Sequence, residues 1–141
     1  MTREEIQLLL KDLSARLMYG VMCQVDDGAA GLNDGKLVEI DISKELVRFE
    51  VDYYWNAYID DVKPYLRPMS SMTEEEYKSV SWEGCSHTYN YSSKSGFQFV
   101  EIKTFTLNIL DWLNIHHFDY RNLIEKGLAI AVDENNNPYD I

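Results

Sequence analysis

The spacing of the apolar residues changes at Gly20, and this change is the strongest constraint on the fold. Before it, apolar side chains recur every three or four positions after a capping box made by Thr2 and Glu5. This pattern predicts one amphipathic helix over residues 3–18, which Gly20 ends in a left-handed conformation. After it, apolar and polar residues alternate, as in strands with one solvated face. The chain therefore combines a helix with an antiparallel sheet.

The alternating region predicts a three-stranded antiparallel meander. Its strands are expected over residues 21–25, 36–42 and 47–53. Residues 55–69 contain Pro64 and Pro68, each of which lacks a backbone donor and disfavours helix at the preceding residue. We expect this segment to be an irregular, aromatic-rich connection.

A second β feature is expected near the middle of the C-terminal half. Residues 87–103 predict a hairpin around a loop at 92–96. One side of this ribbon would be an aromatic stripe that ends in an imidazole and a carboxylate. Three facing pairs define it: Tyr91 with Phe97, Tyr89 with Phe99, and His87 with Glu101.

The remaining elements are short. Thr73 and Glu76 make another capping box, which predicts a helix over residues 74–80. Apolar spacing predicts a final helix over residues 105–116. Asp119 can cap a further short helix that Gly127 ends, and a last strand is expected over 128–132. Residues 133–141 are turn material or a loose tail.

Together these elements predict a single α+β domain over residues 1–141. Its antiparallel sheet, a meander plus a hairpin, is expected to pack against an N-terminal and a C-terminal helix. A chain of 141 residues with 45% hydrophobic residues can bury one core.

No run of about 20 apolar residues is present, so we expect no membrane span. Cys23 and Cys85 are far apart in the chain, which favours the reducing cytoplasm.

The net charge of the chain narrows the classes of partner that it is expected to bind. The chain carries 24 acidic and 13 basic residues, a net charge of -11. A protein that binds DNA or RNA must neutralise phosphates with Lys and Arg, so direct nucleic-acid binding is disfavoured. Residues 39–61 contain seven carboxylates with Lys44 and Arg48. This face is either an ordinary solvated surface or an acidic interaction module that mimics nucleic acid.

His116, His117 and Asp119 form the best metal-binding candidate in the sequence. Divalent ions recruit imidazole and carboxylate ligands, and His87 or Cys85 could complete the set. Neighbouring side chains on a helix diverge by about 100°, so the two adjacent histidines could share an ion only beyond the helix end. The competing interpretation places His116 in the core and His117 against the helix C-terminus. A metal-dependent hydrolase is therefore an alternative function.

Aromatic residues crowd the middle of the chain and suggest a ligand site. Tyr53, Tyr54 and Trp55 could stack on a nucleotide base while Arg67 pairs with its phosphate. The competing interpretation is packing in the core and on the sheet. In a strand, Tyr53 and Tyr54 point to opposite faces, so at least one of them should meet a partner subunit, a ligand or water.

Three stretches of the chain resemble a group of small uncharacterised proteins encoded by phages and prophages of gut Bacteroidales. They cover residues 8–25 (LLLKDLSARLMYGVMCQV), 62–76 (VKPYLRPMSSMTEEE) and 111–130 (DWLNIHHFDYRNLIEKGLAI). In that group a glycine is expected where this chain has Asn122, a residue that also tolerates the left-handed conformation. The resemblance implies an intracellular accessory protein carried by a mobile element.

These observations lead to one principal expectation. We expect a non-enzymatic, oligomeric binding protein without a cofactor, which acts on a host factor. Its partner would be a host protein or a small nucleotide that it sequesters as a counter-defence measure. The metal-dependent hydrolase and the acidic interaction module are the two alternatives.

Overall fold

The first helix forms where the capping box predicts it. In the computed structural model, which describes residues 1–29, 31–50 and 54–139, helix α1 covers Arg3–Arg16. The Thr2 hydroxyl accepts the Glu5 N–H, and the Glu5 carboxylate accepts the Thr2 N–H. A 3₁₀ turn continues the helix until Gly20 ends it with a φ of 70°.

The strands form one six-stranded sheet and one separate hairpin. Within the described residues the strands are β1 (Met22–Asp26), β2 (Leu32–Asp41), β3 (Leu46–Glu50), β4 (Tyr54–Tyr58), β5 (Val62–Leu66), β6 (Ser86–Ser92), β7 (Gly96–Thr104) and β8 (Ile130–Ala131). The large sheet has the order β4-β3-β2-β1-β5-β8, and only its β5–β8 pair is parallel. Two further helices are α2 (Glu74–Lys78) and α3 (Leu107–Ile115). The predicted α+β class, with a meander, a hairpin and helices near both ends, is confirmed.

The meander begins and ends at slightly different residues than predicted. Strand β2 starts at Leu32 because residues 32–36 already pair with β1. In β3, Val47 and Phe49 are buried as expected. The end of the predicted third strand, residues 51–53, lies outside the described residues.

The expectation of an irregular connection over residues 55–69 is wrong. This segment contains β4 and β5, which a 3₁₀ turn at Ile59–Asp61 joins. Pro64 pairs with Cys23 of β1, whereas the β5–β8 ladder begins only at Tyr65. On the β8 side, therefore, Pro64 occupies an edge position, where a missing donor costs little.

The short turn between β4 and β5 forces the sheet to curl. In a flat sheet these strands would lie four spacings apart, about 19 Å. A 3₁₀ turn of this length advances only about 8 Å. The sheet therefore bends round so that the end of β4 returns to the start of β5, and α1 packs against the enclosed apolar side.

Among the described residues, buried apolar side chains form two hydrophobic clusters. The larger one lies between α1 and the curled sheet. The smaller one joins the hairpin to α3, and its buried members are Met72, Phe99, Ile109, Leu113 and Phe118.

A buried ion cluster connects these two clusters. Asp12 and Arg16 of α1 are fully buried. Nε and Nη2 of Arg16 donate to the Asp12 carboxylate at 2.8 and 3.2 Å, and Nη2 also donates to the Phe118 carbonyl at 2.7 Å. Arg121 Nη1 donates to the same carboxylate at 2.9 Å. The first helix is thus bound to the segment that follows α3.

The hairpin forms, but its register differs from the predicted one at the end near His87. Two of the predicted pairs are present: Tyr91 with Phe97 and Tyr89 with Phe99. His87, however, pairs with Ile102 and not with Glu101. The difference arises because a bulge in β7 inserts Val100 as an extra residue while β6 stays regular. A second bulge inserts Lys103 beyond the His87 pair.

The segment after α3 is folded without a further helix. The predicted helix after Asp119 is replaced by turns, and Asn122 adopts a φ of 59°, the conformation in which asparagine replaces glycine best. The expected last strand is shorter than predicted, since β8 has two residues. In the part of the chain that is described, no helix is long and apolar enough to cross a membrane.

The C-terminal segment is anchored, not loose, as far as Tyr139. The Tyr139 hydroxyl donates to the Tyr65 carbonyl at 2.7 Å and accepts the Met22 N–H at 3.0 Å. Its ring stacks on His117 with centroids 3.6 Å apart. One side chain therefore holds β1, β5 and the loop after α3 together.

Candidate functional site

Of the residues predicted to hold a nucleotide, only Trp55 and Arg67 have side chains among the described residues. Trp55 packs beside the larger core and lines a pocket with three carboxylates, those of Asp26, Asp27 and Asp61. Arg67 follows β5 and has different neighbours. Tyr53 and the side chain of Tyr54 lie outside the described residues. The nucleotide site therefore stays a prediction, with Trp55 beside carboxylates and Arg67 beside Glu76 and Phe118.

Arg67 is engaged within the protein. Its guanidinium donates to both carboxylate oxygens of Glu76 at 2.7 and 2.8 Å and lies 4.2 Å from the centre of the Phe118 ring. The hydrogen bonds from Arg67 are the main reason why the pKa of Glu76 falls to about 2. This geometry fixes α2 to the chain after β5, and it occupies the donors that a phosphate would need.

The three histidines each have their own neighbours within the protein. His87 Nε2 is hydrogen-bonded to the Tyr77 hydroxyl at 2.7 Å. The ring of His116 lies against Trp112, and that of His117 stacks on Tyr139. Burial lowers the pKa of His117 to about 4, with smaller contributions from nearby cations. Each imidazole thus contacts at least one aromatic ring of the protein.

Asp119 has a local structural role. Its two carboxylate oxygens accept the N–H groups of Leu123 and Ile124, each at 2.9 Å. Over the described ranges, no three His, Cys, Asp or Glu side chains lie where they could hold a metal ion together. The set of His87, His116, His117 and Asp119 is therefore not brought together.

The acidic region at 39–61 spreads over several strands. Arg48, one of its two basic residues, forms an exposed ion pair with Glu39 of the neighbouring strand, with Nη1 and Oε2 3.0 Å apart. Part of the acidic charge is thus neutralised locally.

A groove that no motif indicated lies beside α3. It has a volume of about 500 Å³. One wall is the chain after α2, and the other is the N-cap and outer side of α3. Its lining residues, which define the α3 groove, are Val80, Ser81, Glu83, Thr106, Asn108, Ile109, Asp111, Trp112 and Ile115.

An aromatic cluster holds the first wall of the α3 groove in place. Trp82 stacks on Tyr77 with centroids 5.1 Å apart and meets Trp112 edge-on at 6.0 Å. Its indole N–H donates to the Tyr77 carbonyl at 2.7 Å. Its neighbours at 80, 81 and 83 line the groove.

The α3 groove combines apolar surface with negative charge. Glu83 and Asp111 are its charged residues, and none of the nine lining residues is basic. Asp111 also accepts a hydrogen bond from the Tyr19 hydroxyl at 3.1 Å, which raises the pKa of that phenol. The site therefore offers apolar surface together with two carboxylates.

Exposed apolar side chains extend this surface. Ile115 is 53% exposed and Leu107 is 80% exposed, although both belong to α3. A helix that is apolar on nearly every side is normally buried, so this composition was the one available sequence signal. It was missed because the wall at 80–83 comes beside the helix only in three dimensions.

Gly84 sets how closely the two walls approach. It has a φ of 83°, and a Cβ atom there would lie 3.1 Å from Cγ2 of Thr106, the residue that caps α3. We expect Gly84→Ala to lower the free energy of unfolding by about 1–3 kcal/mol, measured by urea denaturation. Gly28→Ala is the control, because Gly28 has a similar φ with no atom nearby. Equal losses in both variants would show that the contact with Thr106 is unimportant.

Comparison with known proteins finds no matching family model, curated protein or solved structure.

Proposed function

We propose that this is a non-enzymatic binding protein, which a phage or another mobile element uses to occupy a host protein, and that the α3 groove is its binding site. The observation that carries this proposal is the apolar α3 groove with its exposed flanking residues. Large exposed apolar surface commonly marks a site of protein association. The phage context rests on the resemblance of three stretches of the chain.

The charges of the α3 groove favour a protein segment over a nucleotide. A nucleotide brings phosphates, whereas the charged residues of the groove are both acidic. Arg67, the predicted phosphate partner, is already bound to Glu76. A protein segment can present an apolar side chain to Trp112 and a Lys or Arg to the rim. The net charge of -11 would also speed the approach of such a basic segment.

Peptide selection followed by titration would test this proposal. Random 12-residue peptides displayed on a carrier would be selected on the wild-type protein and counter-selected on Ile115→Lys. We expect the enriched peptides to combine bulky apolar residues with Lys or Arg. Calorimetry should then show that Ile115→Lys weakens binding by at least about tenfold, as for a residue central to an interface.

A matched variant controls for the added charge. Ile42→Lys makes the same change at another exposed isoleucine, outside the groove, and should leave binding unchanged. Equal losses for both lysine variants, or enrichment of acidic peptides, would contradict the assignment. If the protein bound a nucleotide and Ile115→Lys did not weaken that binding, the binding site would lie outside the α3 groove.

A further inference from the structure

Strand β6 has a long exposed edge. One of its two edges pairs with β7 over all seven residues. Among the described residues no backbone group pairs with its other edge. All of its residues except His87 are exposed. Such an edge presents unpaired N–H and C=O groups that can add another strand.

The other strand of the hairpin has protective features that β6 lacks. Strand β7 contains two bulges and the charged residues Glu101 and Lys103, and it packs beside the turn at Met69–Ser71. Bulges, charges and covering segments are the usual means of preventing edge pairing. The sequence of β6, SHTYNYS, contains no Lys, Arg, Asp, Glu or Pro, and β6 has no bulge.

The charge distribution favours a second copy of this chain as the added strand. Two molecules that each carry a charge of -11 repel one another over most of their surfaces. The hairpin, residues 86–104, has two lysines and one glutamate, so its own net charge is +1. Contact between two hairpins therefore brings no net negative charge of their own together.

We propose that two copies associate through antiparallel pairing of their β6 strands, centred on Tyr89. Only this register pairs all seven residues of each strand, and it is symmetric, as a two-fold interface requires. It sets Tyr91 opposite His87 of the second copy.

The exposed aromatic residues of the hairpin support this arrangement. Tyr91 is 66% exposed and Tyr89 is 50% exposed. In the paired sheet the two aromatic stripes lie side by side on the same face, so they contact each other. The interface is small, and we expect a dissociation constant of about 1–100 µM. This association is independent of the α3 groove.

A charge-swap experiment tests both the interface and its register. Thr88 and Asn90 are exposed and lie on the face opposite the aromatic stripe. In the proposed register Thr88 of one copy is opposite Asn90 of the other. The double variant Thr88→Lys with Asn90→Lys therefore places two pairs of like charges opposite each other between the two copies. The double variant Thr88→Glu with Asn90→Glu does the same with negative charges.

Sedimentation at concentrations from about 1 µM to 1 mM would give the dissociation constants, since this range brackets the micromolar values that we expect. The mass of the wild type should rise from the 16.5 kDa of one chain toward twice that value. Each double variant alone should associate at least about tenfold more weakly, while an equimolar mixture of the Lys and Glu variants should recover the dimer. A β7 variant with the same added charge, Gln98→Lys with Glu101→Gln, should remain dimeric. Monomeric wild type, or a mixture that fails to recover, would overturn the proposal.

Discussion

Asp12→Ala is expected to lower the free energy of unfolding by about 3–5 kcal/mol, because it leaves the guanidinium of Arg16 buried without its counter-charge. Both side chains of this pair are fully inaccessible to solvent. Arg121 would lose its partner too, but it is partly exposed and can turn to water. Urea denaturation of the variant and the wild type would measure the loss.

Two controls separate charge from packing. Glu39→Ala breaks the exposed pair with Arg48 and should cost about 1 kcal/mol or less. The double variant Asp12→Leu with Arg16→Met removes both buried charges and should recover most of the stability. A double variant as unstable as Asp12→Ala would show that the geometry of the ion cluster is what stabilises the junction between the two hydrophobic clusters.

Acid is expected to destabilise the protein through His117. Its pKa is about 4 in the folded state, below the 6.5 of an ordinary histidine. The unfolded chain therefore takes up a proton that the folded chain does not, and stability falls as the pH drops from 6.5 to 4. A difference of this size corresponds to about 3 kcal/mol, and partial exposure of the ring reduces the expected loss to about 2 kcal/mol.

Urea denaturation at pH 7 and at pH 4.5 would measure this effect. The Glu76 carboxyl, whose folded pKa is about 2 against an ordinary 4.5, loses most of its contribution below pH 4.5, so the loss within this interval comes mainly from the histidine. His117→Phe keeps an aromatic ring against Tyr139 but cannot titrate. It should remove most of the pH dependence between these two values. If His117→Phe retained the full loss, another group would be responsible.

Local patterns were enough to predict much of the fold. The capping box at Thr2, the glycine stop at Gly20 and the alternation that follows each depend on neighbouring residues, and the structure contains all three. The aromatic pairs of the hairpin were predictable for the same reason. In contrast, Pro64 disfavours a strand locally, and only the position of β5 in the sheet makes it acceptable. Bulges in β7 likewise carry no clear local signal.

The candidate site could not be predicted because it depends on contacts between distant segments. Trp82 and Trp112 are thirty positions apart in the chain, yet their rings meet edge-on beside the α3 groove. The residues that did attract attention, the histidines and Arg67, have chemically versatile side chains. Their hydrogen bonds and ring contacts are made inside the protein. Residue type alone therefore suggested ligand binding, whereas these side chains bind other parts of the protein.

The position of Tyr139 has a consequence for synthesis of the chain. Its hydroxyl completes hydrogen bonds of Met22 and Tyr65, which belong to strands made much earlier. Strand β8, which extends the sheet beside β5, is also made late. The nascent chain must therefore keep β1 and β5 incompletely bonded until residue 139 has left the ribosome. Contacts between such distant segments slow folding and prolong exposure of apolar surface, so during translation this protein should depend on chaperones more than its size suggests.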